Sequence, residues 1–210
     1  MENLLIMLSL LTLVSCSLPS PKNGDLVFVV GSESEMSEAI TDATSGEADA
    51  LSFDHVGIVA VDGDGIVSVI EALPKKGVTE TPFEKFLSSA PKLNGKPGVS
   101  LRRLNVDCDL DAAVERARRL VGRPYDWAYD QSNEAIYCSE LVWYSFIDND
   151  GEALFDASPM NFKGSDGTYP DFWIELFAEM GQPIPQVKPA PTPITWLKKA
   201  YSLRFVGIIS

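Results

Sequence analysis

Apolar and polar positions along this chain fall into short blocks whose period changes from one block to the next. Leu26-Val27-Phe28-Val29-Val30 is a β-rich run entered through Gly24-Asp25, which predicts a strand over 24–30. Met36, Ala39 and Ile40 recur at helical spacing and predict a short helix over 34–41. Residues 53–61 and 66–72 are two apolar runs joined by Asp62-Gly63-Asp64-Gly65, which is hairpin chemistry. Residues 82–90 read as a short helix with proline in its first turn, and 99–104 as a further strand. Between Asp109 and Gly122, Leu110, Ala113, Val114, Ala117, Leu120 and Val121 share one helical face, with Arg116, Arg118 and Arg119 outside it. Asp109 or Asp111 can cap that helix and Gly122 can close it. From 138 to 147 the chain is apolar almost all round, the pattern of a helix buried on most sides.

Residues 148–170 are rich in Asp, Gly, Ser and Pro, yet hold Phe155, Met160, Phe162 and Tyr169. A long connection with that apolar content has something to bury. Two expectations stand side by side: it walls a pocket beside the preceding helix, or it seals a core edge away from the site. A helix over 171–180 closed by Gly181, an extended Pro183–Pro193 stretch and a closing strand at 205–209 complete the chain. There is no internal repeat.

The first residues change how the cysteines are counted. Leu4 to Val14 is an apolar core of signal-peptide length, too short to span a bilayer. It runs into Leu13-Val14-Ser15-Cys16, which resembles a bacterial lipobox, although Met1-Glu2-Asn3 carries no Lys or Arg. The expected organisation is a lipoprotein leader over 1–15, a lipidated tether over 16–23 attached through Cys16, and a single domain over 24–210. That places the protein in the bacterial cell envelope, held to a membrane by its N-terminal lipid. A net charge of −13 argues against nucleic acid as a partner.

With Cys16 assigned to lipid, Cys108 and Cys138 remain, and His55 is the only histidine. A disulfide would use up Cys138, and one bridge is a weak framework for a chain this long, so both thiols are expected free. A thiol becomes a strong nucleophile beside an imidazolium or at a helix N-terminus. Cys138 stands where the buried helix begins, and His55 lies within an apolar strand. Each also has an ordinary structural alternative: a small buried hydrophobe for the cysteine, a hydrogen-bonded strand residue for the histidine. A third polar group must orient the ring. Glu71 ends an apolar strand where a charge needs a partner; Asp54 is its rival but, as a neighbour of His55, points to the other face. A four-residue hairpin loop would oppose Glu71 to Val56, on the wrong face, so Glu71 is expected to need a three-residue loop or a bulge. One His and one uncommitted Cys do not make a zinc set, and no cofactor or metal is expected.

Taken in order, Gly24-Asp25, Asp54-His55-Val56-Gly57-Ile58-Val59, Glu71, Gly122-Arg123-Pro124-Tyr125-Asp126 and Tyr137-Cys138-Ser139-Glu140-Leu141-Val142 resemble the permuted papain-like amidases. These are the YiiX/YebB-like branch of the NlpC-type cysteine hydrolases, in which histidine precedes cysteine. The resemblance covers roughly 24–147. It implies an α+β, circularly permuted papain-like fold, with an antiparallel sheet packed against the helix that bears the nucleophile. It also implies Cys138 as nucleophile, His55 as base and Glu71 as the third member. Tyr125 matches a tyrosine near the family's pocket, with plain aromatic packing as the alternative. Asp126 either meets a substrate ammonium or is a solvated loop acid. The implied reaction is cleavage of an amide through a thioester acyl-enzyme, with peptide or peptidoglycan stem-peptide substrates. Lipid ester hydrolysis or acyl transfer, and a catalytically silent envelope binder, are the alternatives.

Overall fold

The computed structural model describes residues 20–44, 53–105, 108–186, 189–190 and 203–209. In chain order the elements are β1 (Leu26–Val30), α1 (Glu35–Thr44), β2 (Phe53–Val61), β3 (Val67–Leu73), β4 (Gly77–Pro82), α2 (Phe83–Ser89) and two short strands, β5 (Lys92–Leu93) and β6 (Lys96–Pro97). Then come β7 (Val99–Leu104), α3 (Leu110–Arg119), α4 (Cys138–Ser145), β8 (Ser158–Pro159), α5 (Asp171–Glu179), β9 (Pro189–Ala190) and β10 (Leu203–Ile209). The main sheet has six strands in the order β10-β7-β1-β2-β3-β4, and every adjacent pair is antiparallel.

Both faces of the sheet are covered, which is why its central strands read as unbroken apolar runs rather than alternating ones. Leu26, Phe28, Val56, Ile58, Ala60, Ile70 and Ala72 face the larger core, shared with Val114 of α3 and Leu141 and Val142 of α4. Val27, Val29, Val59, Val69, Val99 and Leu101 face a smaller core that Phe86 of α2 closes. α3 starts where its cap dictates, with the Asp109 carboxylate accepting the Ala112 N–H at 2.9 Å. Its Arg116 reaches across to donate to the Ser145 carbonyl at 2.7 Å, holding the C-terminal end of α4.

β4 is a strand that the apolar pattern misses. Its alternation is carried by Val78, Thr79 and Thr81, and Pro82 ends it. Its outer edge is not left open: Val78 N–H donates to the Arg123 carbonyl at 2.8 Å, and Gly122 N–H to the Val78 carbonyl at 2.9 Å. Gly77 makes this approach possible, because its φ is +69° and a Cβ there would collide with the Arg123 carbonyl. The segment containing Tyr125 and Asp126 is thereby stitched to the sheet.

The hairpin between β2 and β3 departs from the expected loop. Ile58 pairs with Ile70 and Val61 with Val67, leaving a five-residue connection, Asp62–Ile66. The Asp62 carboxylate accepts from Asp64 N–H at 3.0 Å and Ile66 N–H at 2.8 Å, and that bonding stabilises the longer turn. The register is therefore neither the four-residue nor the three-residue form. One residue longer than the first, it restores parity and carries Glu71 to the level of Gly57, diagonal to His55 on the same side.

Candidate active site

α4 is short, and its first residue is Cys138. Extended Tyr137 precedes it (φ −97°, ψ 170°), and Glu140 in the first turn accepts the Tyr137 N–H at 3.3 Å. This is half of a capping box, and it fixes the angle at which the helix begins. First-turn N–H groups have no intrahelical acceptor, so those of Cys138 and its neighbour point outward along the helix axis. α4 packs on β2 and β3 and brings its N-terminal end to the strands that carry His55 and Glu71.

The pairing of β1 with β2 is irregular where His55 sits. Val29 pairs with His55 but Val30 with Phe53, so Asp54 is an extra residue, a bulge. Bulges re-aim side chains beside sites. Phe53 and Val56 both belong to the larger core, so the usual alternation is broken across Asp54 and His55.

The structure brings His55, Glu71 and Cys138 together. His55 Nε2 lies 2.9 Å from Glu71 Oε2, and the other Glu71 oxygen accepts the Thr81 hydroxyl at 2.7 Å. Both carboxylate oxygens are thus held. A ring nitrogen takes one in-plane partner, so with Nε2 engaged Nδ1 is the nitrogen left for a second one, and the Cys138 side chain lines the same cleft as His55. Glu71 is 4% and Cys138 8% exposed, while 18% of the His55 side chain meets solvent. Burial lowers the pKa of the ring, but the hydrogen bonds and charges of Cys138 and Glu71 outweigh it, raising it from 6.5 to about 10. The thiol and the carboxylate beside the ring thus favour its protonated form.

Thr81 is the residue that sequence reasoning missed. It lies on the unrecognised strand β4, and the one signal for it is Gly77-Val78-Thr79-Glu80-Thr81, a β-branched alternation.

Tyr125 is buried (8% exposed), lies beside Cys138, and stacks edge-on with Trp127 at 5.1 Å. Burial pushes its hydroxyl well above the ordinary tyrosine range. Asp126 is not a solvated acid: it is 2% exposed and accepts from Ala128 N–H at 2.9 Å, Asp130 N–H at 2.7 Å and the Asn133 amide at 3.0 Å. Its carboxylate organises the loop that presents Tyr125. Cys108 and Cys138 are both free thiols, and Cys108 donates to the Ile147 carbonyl at 3.6 Å. The leader and Cys16 lie outside the described residues.

Two concavities meet at Cys138. One is a narrow, mainly apolar slot walled by Phe53, Tyr129, Tyr137, Met160, Phe162 and Trp173. The other is a wider cleft containing His55, Ser32, Ser34, Met36, Leu73 and Pro91. Met160 and Phe162 come from the long connection after α4, so part of that segment is pocket wall. Phe155 is not; it packs on Phe146 with ring centroids 6.0 Å apart, sealing the core.

Comparison with known proteins gives the family. The family described as permuted papain-like amidase enzyme, YaeF/YiiX, C92 family, matches residues 20–174. An uncharacterized protein YiiX of Escherichia coli strain K12 is 32% identical over 146 residues, 68% of this chain; the match spans 66% of that relative, just under two thirds. The crystal structure of the metalloprotein yiiX from Escherichia coli O157:H7 superposes with a TM-score of 0.67 at 25% identity, covering 90% of this chain and 97% of that one. Among the described residues, no three or more His, Cys, Asp or Glu side chains gather so as to hold a metal ion. With this sheet, this helix and this match over most of its length, the chain belongs to the permuted papain-like amidase family, YaeF/YiiX, C92.

Proposed function

We propose that this protein is a cysteine hydrolase that cleaves an acyl–nitrogen bond with Cys138 as nucleophile, His55 as proton carrier and Glu71 as the group that orients the ring. The observation that carries the reading is that Cys138 and His55 line one cleft, with His55 Nε2 2.9 Å from a Glu71 carboxylate whose other oxygen accepts the Thr81 hydroxyl. The Cys138 thiolate attacks the carbonyl carbon, and the developing oxyanion is met by the N–H groups at the start of α4. The C–N bond breaks as the His55 proton passes to the departing amine. Water then gives its proton to the ring and attacks the thioester, releasing the acid and returning Cys138 and His55 to their starting forms.

The envelope setting expected from the leader makes peptidoglycan stem-peptide amides one proposed substrate class. A second reading, ester hydrolysis or acyl transfer on a lipid, is favoured by the apolar slot at Cys138. Iodoacetamide labelling at neutral pH tests the shared core of both. Cys138 should react well before Cys108, and His55→Ala should slow that reaction and any hydrolysis by about 100-fold or more. A Cys138 as inert as Cys108 would instead indicate a catalytically silent binder.

A further inference from the structure

The chain enters the sheet at one end, and the cleft with Cys138 opens at the other. Hydrogen bonds fasten the entering residues. Arg103 donates to the Ser20 carbonyl at 3.2 Å, and Lys22 N–H to the Asp25 carboxylate at 2.8 Å. Asn23 uses both ends of its amide, donating to Asp111 at 2.7 Å and accepting the Val61 N–H at 2.9 Å. Val61 is the last residue of β2, whereas His55 lies near its start, level with Val29. The strand rise between them amounts to about 20 Å. The wide cleft shared by His55 and Cys138 has Ser32, Ser34, Pro74 and Pro91 at its rim, in loops beyond the far ends of β1, β3 and α2. Fastening point and nucleophile thus sit at opposite ends of the sheet.

We infer that the anchored protein stands upright on its bilayer, with the turn Asp62–Ile66 seated at the lipid interface and the cleft opening away from it, so that its substrate lies outside the anchoring membrane. The inference rests on lipidation of Cys16 and on the hydrolase reading above, and it favours the first substrate class over a lipid of the same bilayer. With lipid on Cys16, residues 16–19 alone separate the membrane from Ser20, a reach of at most about 14 Å. So short a leash keeps the Val61 end of the sheet down. Two features decide which way the body tips. Beside the leash, Ile66 is 65% exposed, the most exposed large apolar side chain among the described residues, and Lys22 adds an exposed cation. An apolar side chain with a cation suits a lipid interface; Asp64 at the tip of the turn opposes the seating. At the other end, the groove between α1 and α5 is lined by Glu35, Glu38, Asp42, Asp171 and Glu175, with no Lys or Arg. The same α1 supplies Met36 and Ile40 to the cleft. Lying flat on that side would press five carboxylates against an anionic surface, which repels them.

The test uses the lipidated full chain in vesicles of phosphatidylethanolamine and phosphatidylglycerol that carry a spin label on the lipid headgroup. Cys108→Ser and Cys138→Ser leave one thiol for a fluorophore, placed by Ile66→Cys at the turn or by Ser32→Cys at the cleft rim, both exposed positions. The spin label should quench the dye at position 66 by about twofold or more and leave the dye at position 32 unchanged. Hydrogen exchange of the wild-type chain gives the same reading without any substitution: vesicles should slow exchange across residues 62–66 and not across 32–37. Quenching at position 32 equal to that at 66, or protection of 32–37, overturns the orientation and leaves the lipid anchor and the hydrolase reading standing. Quenching at neither position in vesicle-bound protein overturns the seating of the turn. A mass spectrum of the N-terminal peptide without lipid on Cys16 removes the anchor and the inference together. Iodoacetamide labelling of Cys138 in the wild type judges the hydrolase reading separately from all of these.

Discussion

At the scale of single residues, two buried carboxyls near the N-terminus of α4 have opposite roles. Glu71 holds His55 Nε2 and is held in turn by Thr81, so it fixes both ring orientation and ring charge. Glu71→Gln keeps the shape but withdraws the charge and one acceptor. The His55 pKa should then fall, and an alkaline limb of kcat/KM that reports the ring proton should move towards neutrality. A rate loss of up to about 10⁴-fold should accompany it, as when the third member of such a triad loses its charge. A pH–rate profile of the variant with an unmoved alkaline limb would contradict this role. Glu140 is the other carboxyl: no part of it meets solvent, and its Oε1 has no hydrogen-bond partner of good geometry. Burial pushes it up from 4.5 to about 8; the Tyr137 N–H opposes that shift, and the nearby Asp126 and Asp130 reinforce it. Because the folded state holds this proton more tightly than the unfolded chain, stability falls as pH rises from 4.5 through 8. Glu140→Gln, neutral at every pH, should therefore melt above the wild type at pH 9, by about 3 °C, the effect of ~1 kcal/mol in a chain this size. Melting curves at pH 5 and pH 9 check it, and a gap that does not grow with pH would refute it.

At the scale of elements, the site depends on how β4 and the loop after α3 hold each other. Thr81 supports Glu71 from β4, and the same strand binds the Gly122–Arg123 backbone that leads to Tyr125. One contact thus serves both the orienting layer and the pocket wall. Gly77 is its weak point, since a side chain there strains the backbone and meets the Arg123 carbonyl. Gly77→Ala should cost about 2 kcal/mol or more and lower activity further than the stability loss explains, by displacing Tyr125 and Thr81. Hydrogen exchange at Val78 N–H, measured beside kcat/KM, gives the check; a fully active variant with an intact Val78 bond would show that the two elements are independent. The bulge at Asp54 is a second element-scale device, because it lets His55 leave the strict alternation of its strand.

At the scale of the molecule, the sheet is locked at a point distant from the chemistry. Asp25 at the head of β1 is 1% exposed and receives Arg103 of β7 in a two-pronged ion pair, 2.7 Å on each oxygen. Removing one partner of a buried pair costs more than the pair itself contributes. Asp25→Asn should destabilise the fold by about 3 kcal/mol, seen as a lower Tm, while the alkylation rate of Cys138 in the folded protein stays within about twofold. A slowed alkylation in the folded variant would mean that the lock also tunes the site.

Much of this was open to a reader of the residues alone, for reasons that lie in local physics. Strand runs, the capped helix α3 and the buried helix α4 follow from side-chain period and capping chemistry, which act over a few residues. His55, Glu71 and Cys138 could be singled out because a lone histidine, a charge ending an apolar strand and a thiol at a helix start are each locally unusual. Strand β4 was not legible, since its few β-branched residues sit between turn signals and a proline, and its pairing partners supply the stability that its own sequence lacks. The hairpin register was also beyond reach, because the Asp62 side chain stabilises a turn one residue longer than the glycines suggest. Asp126 looked like a solvated acid because nothing local shows that three loop donors will converge on it. The two-sided cleft at Cys138 was decided by the tertiary structure alone: Phe53, Tyr129 and Trp173 come from three separate stretches of the chain, and only packing brings their apolar surfaces against one nucleophile.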